Sequence, residues 1–331
     1  MQTRVFSCLE PLALAAAVEV ACEILHQGEV VALPAETVYG LAGDALNPAA
    51  AARIFEAKER PFFDPLICHL PDSGWLEEFT DVPRALRPQV DRLVAAFWPG
   101  PLTLVLPKRS CVPDLVSSGL STVAVRWSAH PLFQAVLDRF GRPLAAPSAN
   151  RFGRISPTTA AHVFSELNQR IPLVLDGGPT SHGVESTIVA PGVDGLRILR
   201  SGPVTREQLA SFGEVVEGVG NEAAPEAPGQ LKSHYAPRTP LELLEAGASL
   251  APGSGAILKA GLLAWRAARP GFGATEVLST RGDLVEAASA LFAALRRLDE
   301  SGLERIYAER VPQEGLGAAI NDRLQRAAAS G

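Results

Sequence analysis

Cysteine is scarce: Cys8, Cys22, Cys68 and Cys111 are the only four in 331 residues, and none stands in a Cys-x-x-Cys pair. A zinc ribbon and a disulfide framework are therefore not indicated, and reduced thiols are expected. There is no His-Glu-x-x-His, no Gly-x-Ser-x-Gly elbow, no Gly-x-x-x-x-Gly-Lys-Ser/Thr loop and no strand-anchored Gly-x-Gly-x-x-Gly. These absences argue against a zincin, a covalent serine mechanism and the common nucleotide folds. Gly315-Leu316-Gly317 lacks the third glycine of such a fingerprint. Basic charge is also short, with 30 Lys+Arg against 36 Asp+Glu and a net charge of −6. Residues 1–206 hold 18 basic and 20 acidic residues and residues 207–331 hold 12 and 16, so neither half is a basic nucleic-acid module. No long apolar run survives inspection. Pro11–Leu25 follows Glu10 and is broken by Glu19 and Glu23, whose four-residue spacing marks the wet face of an amphipathic helix rather than a signal peptide. A cytoplasmic protein without a membrane span is expected.

What is present is a well-packed composition, 47% hydrophobic and 20% charged, on a chain longer than one core usually supports. Two domains are predicted. From residue 12 to about 206, short apolar runs alternate with helical patterns, as in mixed α/β domains. Strands are predicted at Val30–Pro34, Pro65–Leu70, Leu102–Pro107, Thr122–Trp127, Leu144–Pro147, Leu173–Asp176, Ser186–Ala190 and Arg197–Leu199. Helices are predicted at Pro48–Lys58, Pro83–Phe97, Pro131–Phe140, Thr159–Asn168 and Arg206–Phe212, the first capped by Asn47. Residues 1–212 form the first predicted domain. Residues 213–237 turn to Gly, Glu, Ala and Pro and read as a linker, long enough to serve as a lid. In 238–331, strands at Leu241–Glu245, Ala256–Lys259, Glu276–Ser279 and Arg305–Glu309 alternate with helices at Leu284–Asp299 and Ala318–Ala328, which suggests a smaller parallel α/β domain.

Five segments could carry chemistry. "LPAETVYGLAGD" offers Glu36, Thr37, Tyr39 and Gly40 where a strand ends, the usual edge of a ligand crevice, although Gly40 also suits a plain turn. "AKERPFFDPLICHL" places Lys58 and Arg60 at a helix end and His69 on a strand. Two cations there either complement the helix dipole or clamp a triphosphate. "VAVRW" ends a β-rich run on Arg126, which needs an anionic partner, either a structural carboxylate or a ligand. "APSANRFGRISPT" supplies Ser148, Asn150, Gly153, Ser156 and Thr158 in a strand-to-helix loop, groups that suit a nucleotide. "ESTIV" and "LRSG" add Ser186 and Arg200, the latter otherwise an exposed charge beside a loop.

Taken in order and together, "ETVYGL", Lys58-x-Arg60-Pro61, "PLICH", "WPGPLTLVL", "VAVR", "PSAN" with "SPT", "ESTIV" and "LRSG" resemble the threonylcarbamoyl-AMP synthase family, the YrdC-type domain. "HYAPRTP" and "GLGAAINDRLQRAA" extend the resemblance to the long, two-domain members. It implies a YrdC-like twisted mixed sheet with helices, followed by a smaller Rossmann-like domain. It also implies an enzyme that joins L-threonine, bicarbonate and ATP, with Mg²⁺, into threonylcarbamoyl-AMP and pyrophosphate. Downstream tRNA threonylcarbamoyl-transfer proteins would receive the product, with a weak tRNA contact. Thr37, His69, Arg126, Ala146 and Ser186 would hold threonine. Lys58, Arg60, Asp64, Thr122, Ser148, Asn150, Ser156, Arg200 and Tyr235 would surround ATP, with Lys58 and Arg60 also catalytic. Asp64 stands where the family more usually has Asn, and it is expected near the triphosphate, acting through magnesium or with its charge screened by Lys58 or Arg60 instead. The alternatives are another carbamoyl-transfer enzyme or an RNA-binding regulator, both weakened by the missing zinc modules and the acidic charge.

Overall fold

The computed structural model describes residues 2–217, 225–244 and 257–329. Its first unit is built on an eleven-stranded mixed sheet. In spatial order the strands are Arg4–Ser7, Leu173–Asp176, Val31–Pro34, Tyr39–Asp44, Leu144–Ala145, Ile67–His69, Thr122–Arg126, Leu102–Pro107, Thr187–Gly192, Gly195–Arg200 and Val215–Glu217. Parallel and antiparallel pairings are mixed along it, three antiparallel ones in succession joining Val31–Pro34, Tyr39–Asp44, Leu144–Ala145 and Ile67–His69, and the last strand carries the sheet past residue 212. Helices bury both faces. One face collects Tyr39, Leu41, Phe55, Leu104 and Val125, while the other collects Leu33, Ala42, Phe133, Leu137 and Leu173.

The helices begin and end where local chemistry dictates. Asn47 Oδ1 accepts from Ala49 N at 2.9 Å to start Pro48–Lys58, and that helix stops as Glu59 turns left-handed at φ 54°. Gly141, at φ 72°, closes Pro131–Phe140. The helix read from the spacing of Glu19 and Glu23 runs Pro11–His26 and buries Ala17, Val18, Ala21, Cys22 and Leu25. Pro83–Phe97 shortens to Arg87–Phe97.

Four strands escape the sequence pattern, among them Arg4–Ser7 and Val215–Glu217, where no strand is predicted. Tyr39–Asp44, read from the sequence as the edge of a ligand crevice or a turn at Gly40, is the hairpin partner of Val31–Pro34. Its glycines lower strand propensity but admit neighbours: a Cβ on Gly40 would stand 3.2 Å from the Ala146 Cβ. In the second unit the strand expected at Ala256–Lys259 lies at Ala260–Ala264. Ile257–Lys259 forms a short 3₁₀ turn and Ala256 is outside the described residues. "AGLLA" is buried throughout, as suits an interior parallel strand.

That second unit is a four-stranded parallel sheet in the order Leu241–Leu244, Arg305–Glu309, Ala260–Ala264, Ala274–Val277. Helices Leu284–Asp299 and Leu316–Ala328 pack on it, and their shared core also takes in Val38, Ile155, Val184 and Tyr235 from the first unit and the linker. The two units therefore meet at the loops that carry the candidate residues. Among the described residues no helix is long and apolar enough to cross a membrane.

Candidate active site

The turn Ala35–Val38, the ends of strands Ile67–His69 and Thr122–Arg126, and the loops at 146–148 and 185–186 converge on one cavity. Arg200 and the linker residues Pro228, Gly229, His234 and Tyr235 complete its wall. The space between its walls, counting the open mouth, is about 550 Å³. Nine of the fourteen residues named from the sequence line it: Thr37, Arg60, His69, Arg126, Ala146, Ser148, Ser186, Arg200 and Tyr235.

Arg126 is buried and already has a partner. One guanidinium nitrogen donates to Glu36 Oε1 and another to Thr37 Oγ1 at 3.0 Å, while Ser128 donates to Glu36 Oε2 at 2.6 Å. The structural carboxylate that the sequence left as one alternative is thus Glu36, and Arg126 Nε remains without a protein partner. Arg200, readable as an exposed charge, is instead buried. Its Nε and Nη2 reach the carbonyl and hydroxyl of Ser186 at 3.1 and 3.0 Å, and Thr103 Oγ1 lies 2.8 Å from the same hydroxyl.

The remaining named residues stand behind the wall. Lys58 Nζ donates to the carbonyls of Ser148 and Asn150 at 2.5 and 2.6 Å, so its buried ammonium ties the helix end to the "PSAN" loop. Burial and then the Arg60 charge push its pKa well below the lysine range. Asn150 Nδ2 donates to the Arg151 and Arg154 carbonyls. Ser156 Oγ donates to Glu185 Oε1. Thr122 opens the strand that ends on Arg126, about 13 Å away at the rise of a strand. Asp64, expected to act through magnesium or to be screened by Lys58 or Arg60, faces Arg60: its Oδ2 lies 2.8 Å from Arg60 Nη2, an ion pair without hydrogen-bond alignment. Burial raises the Asp64 carboxyl against the pull of Arg60 and Lys58. Tyr39 is structural, its hydroxyl donating to the Gly178 carbonyl at 2.7 Å.

Glu185, Glu36 and His234 line or brace the cavity without having been named as ligand-binding residues. Glu185 precedes Ser186 inside "ESTIV", and that adjacency was its only signal in the sequence. Buried polar atoms lacking a protein partner include His69 Nδ1, Arg126 Nε and Tyr235 Oη on this wall, with Asn150 Oδ1 and Asp64 Oδ1 behind it. Native interiors rarely leave such groups unpaired, so the arrangement suits a polar, charged ligand.

Electrostatics give the site an acid sensitivity. Burial and then Arg126 push the His69 imidazole, stacked on Phe133 at 4.5 Å, down to about 3. Burial alone would raise Glu36, but Arg126 and Ser128 overcome it and hold the carboxyl at about 2. An unfolded chain binds a proton on histidine near 6.5 that folded His69 refuses until about 3, and one on glutamate near 4.5 that folded Glu36 refuses until about 2. Both contributions to stability are therefore lost on acidification, the first from pH 6.5 downward and the second from 4.5 downward. Urea unfolding is expected to show stability falling from pH 7 to 5. Replacing His69 by Asn is expected to reduce that slope by up to ~1.4 kcal/mol per pH unit. An unchanged slope in the variant would contradict this account of His69.

The fold and its cavity define an α/β protein with a polar pocket walled in part by Pro228, Gly229, His234 and Tyr235 between two units. A solved Pyrococcus abyssi Sua5, complexed with L-threonine, superposes with a TM-score of 0.88 at 34% identity over 98% of this chain and 97% of that one. The family described as "Telomere recombination" matches residues 23–202, and "Threonylcarbamoyl-AMP synthase, C-terminal domain" matches residues 204–329. A threonylcarbamoyl-AMP synthase of Bacillus subtilis is 40% identical, covering 93% of this chain and 92% of its own. One from Pyrococcus abyssi is 37% identical over 94% and 93%. The chain belongs to the threonylcarbamoyl-AMP synthase family.

Proposed function

We propose that this protein is an L-threonylcarbamoyladenylate synthase, a nucleotidyltransferase that forms threonylcarbamoyl-AMP and pyrophosphate from L-threonine, bicarbonate and ATP. The observation that carries this reading is the gathering of nine separately encoded residues of the family pattern around one buried polar cavity. Threonine's amine combines with bicarbonate to give a carbamate and water. A carbamate oxygen attacks the α-phosphorus, the bond to the β-phosphate bridging oxygen breaks, and pyrophosphate leaves. Positioning and charge neutralisation carry such a displacement, so no covalent nucleophile is needed.

Arg126 and Thr37 are assigned to the threonine carboxylate end, where Nε is unshared. His69, neutral throughout the physiological range, packs beside them, with Ala146 and Ser186 completing that end. Arg60, Arg200, Ser148 and Tyr235 are assigned to ATP from the facing wall. Lys58, Asn150 and Ser156 shape the loops behind it. Thr122 and Asp64 keep the ATP role implied by the resemblance at a greater remove.

Mg²⁺ would neutralise the phosphates. Among the described residues no group of three His, Cys, Asp or Glu side chains could cage a metal, so the donor set fits an ion carried mainly by ATP oxygens and water. Asp64 is the carboxylate that the resemblance offers to such an ion. A cytoplasmic setting suits the four free cysteines, and transfer proteins acting on a tRNA adenosine would consume the product.

Pyrophosphate release is expected only when L-threonine and bicarbonate are both supplied with ATP; equal release without threonine would refute the assignment. An RNA-binding regulator predicts instead a tight, salt-sensitive tRNA complex and no turnover.

The linker's described part, 225–237, bears on the lid expectation; residues 218–224 lie outside the described residues. Ala236 N donates to the Gly153 carbonyl at 2.8 Å and Tyr235 adopts φ 64°, turning its side chain into the site wall. ATP with threonine is expected to slow proteolytic cutting within 213–237 several-fold, because a closed lid excludes protease as it excludes water. Equal cutting rates with and without the ligands would rule out a lid.

A further inference from the structure

One carboxylate on the cavity wall has no part in the assignments above. Glu185 is buried, accepts from Ser156 Oγ, and receives Arg323 Nε on its other oxygen at 3.0 Å. Arg323 comes from the helix Leu316–Ala328 of the second unit and is wholly buried. Its Nη1 donates to Asp322 at 2.9 Å, and its guanidinium carbon stands 5.3 Å from the centre of the Tyr235 ring. Phe292, on the helix Leu284–Asp299, also stacks on that ring at 5.6 Å. From the same helix Arg296 donates to the Ile155 carbonyl, one residue before Ser156. A Cβ on Gly183 would stand 2.5 Å from the Ala288 carbonyl oxygen, so the loop leading to Glu185 lies directly on that helix.

A carboxylate facing a triphosphate repels it unless a cation stands beside it, and a buried carboxylate without a partner is costly in itself. Both loops that present Ser156 and Glu185 rest on the second unit, and the only cation paired with Glu185 among the described residues comes from there. We propose that Arg323 is a positioning residue for the nucleotide: it neutralises Glu185, so that this carboxylate can orient Ser156 without repelling the triphosphate. The C-terminal unit is then a component of the active site. This rests on the ATP reading of the cavity.

The test compares full-length parent, Arg323→Met, Glu185→Gln and the double variant, with KM for ATP measured by pyrophosphate release and L-threonine affinity by calorimetry. Parent turnover with threonine and bicarbonate tests the function; the contrast among variants tests Arg323. Arg323→Met is expected to raise KM for ATP roughly 30-fold, the effect of one uncompensated charge several ångströms from the phosphates at an effective dielectric near 20. Threonine affinity should change much less, since Arg126, Thr37, His69 and Ala146 have no contact with Arg323 and only Ser186 adjoins Glu185. Adding Glu185→Gln removes the repelling charge and should recover most of the lost ATP affinity, which a purely structural role for Arg323 would not separate from threonine binding. Should Arg323→Met fail to fold, Glu185→Gln alone decides: the unopposed Arg323 charge should leave KM for ATP at or below the parent value. The proposal is overturned if ATP and threonine affinities fall together in Arg323→Met, if the double variant binds ATP no better than the single, or if Glu185→Gln raises KM for ATP tenfold or more.

Discussion

Replacing Arg126 by alanine is expected to abolish measurable threonine-dependent pyrophosphate release and to cost about 3–5 kcal/mol of stability, the range found when one member of a buried ion pair is removed. Both effects arise at one side chain. Arg126 is 3% exposed and its partner Glu36 is 7% exposed, so truncation leaves a carboxylate with little access to water. Ser128 would still donate to Glu36 and Thr37 would lose its guanidinium neighbour. The substrate effect follows from the loss of the charged donor assigned to the threonine carboxylate. Glu36→Gln separates the two, because it keeps the shape of the pair and leaves the cation in place. Arg126→Ala should therefore lose threonine binding in calorimetry while Glu36→Gln retains it. A threonine KM unchanged in Arg126→Ala would move this residue out of the binding site and leave it as a structural partner of Glu36.

The second large effect is expected from a methyl group. A Cβ on Gly202 would stand 2.5 Å from both the Glu185 carbonyl oxygen and the Thr187 nitrogen, and 2.7 Å from the Ser186 carbonyl carbon. All three atoms are backbone, so no rotamer change relieves the clash and the Glu185–Thr187 segment must move. Gly202→Ala should cost about 2–3 kcal/mol, at the upper end for overpacking. It should also reduce turnover on the order of 100-fold, since Ser186 would be shifted from Arg200 and Thr103, and displacements near 1 Å at a positioned site carry that penalty. Gly192→Ala is the control: its Cβ meets only the Gly195 carbonyl oxygen at 3.4 Å, an ordinary contact. Thermal melts and pyrophosphate release on the two variants check the contrast. Equal behaviour would mean that the loop yields without cost.

Much of the fold could be read before any coordinates. Pro48–Lys58, Pro131–Phe140, Leu102–Pro107, Leu173–Asp176, Leu284–Asp299 and Arg305–Glu309 lie where the apolar periodicity and the caps put them. Strand Tyr39–Asp44 was hidden because its glycines serve close approaches, Gly40 to Ala146 and Gly43 to Ile54 and Ala50, rather than strand propensity. The site was legible as a set of residue types, and nine of the fourteen face the cavity. What each touches was not legible. Lys58, read as a dipole partner or a phosphate clamp, spends two donors on loop carbonyls, and Asp64, read as a metal contact or a charge screened by Lys58 or Arg60, faces Arg60.

The sequence by itself determined the α/β class, the family and the residues available for chemistry. Strand and helix periods, caps and motif spacings act over a few residues and are written locally. Only the tertiary structure decided the pairings: Arg126 with Glu36 across 90 positions, Lys58 with the Ser148 carbonyl across 90, Arg323 with Glu185 across 138. A buried charge must find an opposite charge or a polar group wherever the closed chain brings one, and that partner leaves no trace in the neighbouring letters.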